Sequence, residues 1–247
     1  MNKMRWALAP VLASLLIGVA PGAAFPADVG ADSPLQVLRP DEVDPARLLP
    51  PPVADEGAQQ QAELADVKRV YGARTADELK AAQWDNDHED PSAFYEVMGP
   101  GFDLAKLPAT AKLLSAVFND QAVAAGKAKR FFHRRRPWAA DTSIVPCDFK
   151  PNAKTNTSYP SGHSTMGFAL GYVLAALAPD KAQAILIRAR DYSFNREVCG
   201  DHYPSDLDAG HTLGTAVAVE VLSHPEGKAM FDAAQAELRA AGFTAAH

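Results

Sequence analysis

From His163 to Leu177 the chain is almost wholly apolar, carrying Met166, Phe168, Leu170, Val173, Leu174 and Leu177. A helix with so little polar face has to be buried on most sides, which calls for other helices around it. The rest of the chain supplies them. Gln59 to Tyr71 and Thr75 to Ala82 read as polar helical stretches, and Asp90-Pro91-Ser92 as the start of a short helix ending before Gly99-Pro100-Gly101. Leu107 to Arg134 carries Leu113, Leu114, Val117, Phe118 and Val123 at helical spacing, weakened in the middle by Gly126. Lys181 to Phe194 and Gly227 to Ala241 are amphipathic, and Ser205-Asp206-Leu207-Asp208 resembles a capping box opening an apolar helix to Leu222. No period-2 pattern and no internal repeat appears. The expected fold is all-α, a single-domain helical bundle whose functional site lies at converging helix ends and loops.

Three regions are expected along the chain: residues 1–24, 25–57 and 58–247. In the first, Lys3 and Arg5 precede an apolar run from Trp6 to Ala20 and the small residues Gly22-Ala23-Ala24. That is the pattern of a cleaved secretory signal peptide, and it implies an exported, periplasmic protein. A membrane anchor is the alternative, but the run is short and interrupted by Pro10, whereas a span needs about 20 apolar residues. Residues 25–57 hold Pro26, Pro34, Pro40, Pro45 and Pro50-Pro51-Pro52, so extended, polyproline-like chain is expected over the domain surface. The helical domain follows.

Removing the leader takes Lys3 and Arg5 with it and moves the net charge from −6 to −8. So acidic a protein is a poor general binder of nucleic acid, and any polyanion must be met locally. The two cysteines, Cys147 and Cys199, are most simply one disulfide in an oxidising compartment, with two buried thiols as the alternative.

Chemistry concentrates in three segments: Lys129-x6-Arg136-Pro137, Pro160-Ser161-Gly162-His163, and Arg196-x5-His202-x3-Asp206. Lys129 and Arg136 are seven apart, two turns on one helical face, and cations there can converge on one phosphate. Taken alone, that basic run would also suit a solvated helix end stopped by Pro137. Ser161 and Gly162 precede the apolar helix, where free N–H groups and the dipole favour an anion. Asp206, four residues after His202, can bind one ring nitrogen and leave the other as a nucleophile. The set suits in-line phosphoryl transfer. A metal site of His163, His202 and Asp206 is a competing reading, disfavoured because three cations aimed at one place repel a metal ion.

In this order the segments resemble the signature of the type 2 phosphatidic acid phosphatase superfamily, and most of all bacterial class A non-specific acid phosphatases, over about Leu107 to Leu222. The resemblance implies His202 as a nucleophile forming a phosphohistidine, Asp206 orienting it, and His163 as the acid for the leaving alcohol. It implies Lys129, Arg136, Ser161, Gly162 and Arg196 as holders of the phosphoryl oxygens. The family's third motif usually starts Ser-Arg, whereas Asn195-Arg196 stands here, an asparagine that can still hydrogen-bond a phosphate oxygen. The expected activity is hydrolysis of small phosphomonoesters with no metal and no cofactor, no nucleic-acid partner and no stable membrane insertion; a homo-oligomer is left open. Three rivals share the anion pocket: a vanadium-dependent haloperoxidase, a membrane lipid phosphatase, and a periplasmic phosphate-binding module without turnover.

Overall fold

A computed structural model describes residue 25 and residues 29–147 and 149–245, so the expected leader lies outside the described residues. In chain order the helices are α1 (Pro45–Leu48), α2 (Ala58–Ala73), α3 (Ala76–Asp87), α4 (Tyr95–Met98), α5 (Pro108–Phe132), α6 (Pro137–Ala140), α7 (Gly162–Leu177), α8 (Ala182–Val198), α9 (Pro204–Ser223) and α10 (Pro225–Ala240). No strand occurs among the described residues, so the fold is all-α as expected.

The apolar helix is α7, and it is the centre of the bundle. Met166, Leu170, Val173, Leu174 and Leu177 are all fully buried, and α9, α8 and α5 pack around it. Glycines set how closely α9 approaches. A methyl group on Gly214 would lie 2.4 Å from the Thr165 carbonyl oxygen, and one on Gly210 would lie 2.6 Å from Ser164 Cβ. With no side chain at either position the two backbones nearly touch, and the start of α9 sits against the start of α7. The Ser161 N–H donates to the Asp206 carbonyl at 3.0 Å across that contact.

Gly126 does not weaken α5, which runs unbroken through it. Its missing side chain makes room for the N-terminal segment, since a Cβ would come 2.9 Å from the Ala31 nitrogen. That segment differs from the polyproline strap expected. Residues 29–49 are mostly turns and bends leading into α1. Buried Asp120 accepts the N–H groups of Gln36, Val37 and Leu38 at 2.7, 2.9 and 2.8 Å, and Leu38, Val43 and Leu49 enter the core. One carboxylate neutralising three backbone donors outweighs the polyproline preference of scattered prolines.

Cys147 and Cys199 form a disulfide with their Cα atoms 5.1 Å apart, tying the loop after α6 to the end of α8. Beside it, Glu197 is buried, and burial followed by the charge of Asp66 raises its pKa to about 7. The folded state therefore disfavours the carboxylate as pH rises through 7, whereas the unfolded chain ionises near the ordinary glutamate value. Glu197→Gln should stabilise the fold by roughly 1–3 kcal/mol at pH 8 and by much less at pH 5. Equal gains in melting temperature at the two pH values would show that Glu197 is not held protonated.

Candidate active site

The third motif folds as a loop running into α9. Tyr203 caps the helix, Pro204 opens it, and Asp206 in the first turn accepts the Tyr203 N–H at 2.9 Å. The helix thus starts before Ser205, whose hydroxyl accepts instead from Arg134 at 2.7 Å. Asp206 is fully buried, and its Oδ2 also accepts the Ser158 hydroxyl at 2.6 Å while Oδ1 accepts Arg134 at 2.6 Å. His202 Nδ1 lies 3.4 Å from Asp206 Oδ2, and its Nε2 lies 3.1 Å from Arg136 Nη1. A guanidinium can only donate, so Nε2 carries the lone pair and Nδ1 the proton. Burial, then the charges of Arg136, Lys129 and Arg196, push the His202 pKa well below the usual histidine range, against a backbone hydrogen bond at Ser158. The ring is a neutral base aimed among cations.

His163 occupies the first turn of α7, stacked near Tyr192 at 5.8 Å between ring centroids. Its Nε2 is 3.2 Å from the Asn86 carbonyl, an acceptor only, so that nitrogen bears hydrogen; Nδ1 is 3.5 Å from Glu89 Oε2. Burial and then Arg196 lower its pKa well below the ordinary value, opposed by the Asn86 bond. An arriving phosphate dianion acts in the other direction and favours the protonated ring.

Arg196 lies in the last turn of α8 and is 2% exposed. Its Nη2 donates to Asp201 at 2.7 Å and to the Asn86 side-chain oxygen at 2.8 Å. Its Nε is buried with no hydrogen-bond partner among the described residues. The first motif is not arranged as its spacing predicts. α5 ends at Phe132, where His133 turns left-handed at φ 52°, so Lys129 and Arg136 do not share a helical face. Arg136 instead caps α6, and Pro137 opens that helix where its missing N–H costs nothing. The two cations still meet. Lys129 Nζ donates to the Thr157 and Pro160 carbonyls at 2.8 and 2.7 Å, and Arg136 reaches His202 and the Asp201 carbonyl, the latter at 3.3 Å.

Lys129, Arg136, Gly162, His163, Arg196 and His202 line one cavity of about 270 Å³. Ser161 and Asp206 stand behind it. Ser161 is fully buried, its N–H given to Asp206 and its hydroxyl capping α7 through the Ser164 N–H at 3.3 Å. It joins the two helix starts, while Gly162 faces the cavity. Asn195 is also turned away: it donates to Asp85 at 2.6 Å, the same carboxylate that pairs with Arg188. The side chain that could have met a phosphate oxygen instead ties α8 to α3.

Burial, then repulsion from Arg136, lowers the Lys129 pKa to about 7. Below pH 7 it is a cation and above it is neutral. We expect kcat/KM for a phosphomonoester to fall as pH rises past about 7, because the free enzyme then loses one anion-binding charge. In Lys129→Met that inflection should disappear from the pH profile. Its persistence would assign the inflection to another group.

The sequence reading missed Arg134, Asn86, Glu89 and Asp201. Arg134 belonged to a basic cluster at a helix end, yet its side chain is 1% exposed, paired with Glu63 and Asp206 and set over the Tyr203 ring at 4.3 Å. Only the distance in sequence between Glu63 on α2 and Asp206 on α9 conceals the network.

Residues 109–228 match the PAP2 superfamily, and the chain belongs to that superfamily. Within it, the relatives found are bacterial acid phosphatases, in keeping with the class A resemblance of the motifs. An acid phosphatase of Zymomonas mobilis is 33% identical over 60% of this chain, which spans 56% of that protein. A non-specific acid phosphatase of Providencia stuartii is 29% identical, with 90% of this chain and 93% of the other covered. One from Salmonella typhimurium is 27% identical, covering 70% and 72%. The crystal structure of a bacterial vanadium-dependent iodoperoxidase aligns with TM-score 0.57 over 72% of this chain and 52% of that one, at 19% identity, which is a likeness of fold.

Proposed function

We propose that the protein is an exported acid phosphatase, a phosphoric monoester hydrolase working through a phosphohistidine. The observation that carries the reading is His202 itself: a buried neutral imidazole, its Nδ1 facing the Asp206 carboxylate and the lone pair of Nε2 directed at Arg136. A phosphate entering the cavity would take the guanidinium as a partner for its oxygens and free Nε2 to attack phosphorus.

In the first step the Nε2–P bond forms and the P–O bond to the alcohol breaks, with His163 giving its proton to the departing oxygen. In the second, His163 takes a proton from water, whose oxygen attacks phosphorus and displaces His202, releasing phosphate. Lys129, Arg136, Arg196 and the Gly162 backbone hold the charge that builds on the non-bridging oxygens. Export rests on the Lys3/Arg5 start, the apolar run and the small residues before Phe25, and no helix among the described residues is long and apolar enough to cross a membrane.

The deciding assay is phosphate release from p-nitrophenyl phosphate in excess EDTA across about pH 4 to 9, where turnover should persist and peak on the acid side. Arg196→Ala should lower turnover by about tenfold to a thousandfold, since its contacts strengthen as charge develops. Loss of all turnover on chelation would replace the histidine nucleophile with a metal-activated water.

A further inference from the structure

The cavity holding the two histidines adjoins two further hollows. Glu89, Lys129 and Gly162 line it and also line a larger cleft of about 810 Å³, so they form the sill between the two spaces. Beyond the sill part of the lining is apolar, with Leu104, Phe118, Ala125 and Phe25, the last edge-on to Phe118 at 5.7 Å. The charged part is acidic. Asp87, Asp90 and Asp103 join Glu89, and Lys129 is the one cationic side chain among the described lining residues. Lys106 meets Asp103 at 3.4 Å. The acidic field reaches Tyr95, which also lines the cleft: its pKa is raised by burial first, then by the charges of Asp90 and Asp103.

Attack in line requires the leaving oxygen to lie opposite the His202 nitrogen and beside the acid that protonates it. His163 is that acid, and its ring nitrogens meet Asn86 and, on the sill, Glu89. The alcohol therefore emerges at the sill. A second hollow, of about 420 Å³, adjoins the phosphate cavity through Trp138, Phe149 and Lys150 and is basic, with Arg135 and Lys150 in its lining.

We infer that the acidic cleft is the leaving-group subsite, and that it favours phosphomonoesters whose alcohol is apolar and either uncharged or cationic over those whose alcohol carries a further anion. The inference rests on the phosphatase reading above. Charge is decisive because the phosphoryl group already satisfies Lys129, so a second anion in the cleft meets four carboxylates against, once the leader is removed, the α-amino group of Phe25.

Three aryl phosphates of similar phenol acidity test it: phenyl phosphate, O-phosphotyramine, and 3-(4-phosphooxyphenyl)propanoate. At low ionic strength kcat/KM should fall in the order cationic, neutral, anionic, spanning at least about tenfold, and the span should shrink to about threefold or less at high salt. Asp87→Asn with Asp103→Asn should narrow the span at least about threefold while phenyl phosphate turnover stays within about twofold, since asparagine can still accept the Ala105 N–H at position 103 and the Asn86 side-chain amide at position 87. Equal kcat/KM for the charged pair, an unchanged span in the variant, or a preference for the anionic ester would overturn the subsite, the last pointing to the Trp138 and Lys150 side. If the variant misfolds, the salt series on the native enzyme decides alone. Hydrolysis of none of the three would overturn the phosphatase reading and the subsite with it.

Discussion

His202→Ala should abolish turnover for every substrate, by about ten-thousandfold or more, because the remaining imidazole, His163, turns its two nitrogens to Asn86 and Glu89 and not to Arg136. Arg136 and Arg196 would remain, so phosphate should still bind and inhibit at nearly the native concentration. That split between binding and turnover separates a nucleophile from a structural residue. His163→Ala should behave differently. It should slow esters with poor alkoxide leaving groups far more than p-nitrophenyl phosphate, whose phenolate needs little protonation. Quenching the native enzyme without acid should trap phosphate on His202 as an acid-labile, base-stable adduct. Phosphate mapped to a serine, or substantial turnover in His202→Ala, would exclude the covalent mechanism.

Asp206→Asn is expected to do nearly as much harm by two routes. The carboxylate accepts from Arg134, Ser158 and the Tyr203 N–H, and faces His202 Nδ1, all in a fully buried position. Asparagine is the right size but turns one acceptor into a donor and leaves Arg134 with Glu63 as its remaining ion-pair partner. Removing one partner of a buried ion pair costs about 3–5 kcal/mol, which in a chain of this length lowers the melting temperature by roughly 10 °C. Turnover should fall further, by about a thousandfold or more, because His202 loses the group that keeps the proton on Nδ1. Arg134→Ala supplies the control: it should reproduce the stability loss with much less loss of kcat. If Asp206→Asn keeps kcat within about threefold at a temperature where it is folded, Asp206 does not orient the nucleophile.

Local rules worked where a residue's role is settled by its own few neighbours. The apolar run at 163–177, the start of that helix just after Ser161 and the four-residue step from His202 to Asp206 were all legible because helix periodicity is short-range. They failed where a turn changed direction. Lys129 and Arg136 looked like one face of one helix, and the left-handed turn at His133 with Pro137 opening a new helix sent them to the cavity from two elements. Asn195 matched a motif position yet was drawn to Asp85 on α3, a partner that no spacing within the motif reveals.

By itself, then, the sequence determined the helical class and the three motifs, and it offered the two histidines to which the proposed chemistry is assigned, since these follow from periodicity and from what each side chain can do. Tertiary structure alone decided the rest. It placed Arg134 behind Asp206 and made Ser161 a brace between helix starts. It also put Glu89 and Asn86 against His163 and opened an acidic cleft beside the phosphate cavity. The reason is the packing of elements distant in the chain, α9 against α7 across Gly210 and Gly214 and α3 against α8. Packing at that distance brings together groups far apart in the chain, and burial there gives each charge its partner and each histidine its protonation state.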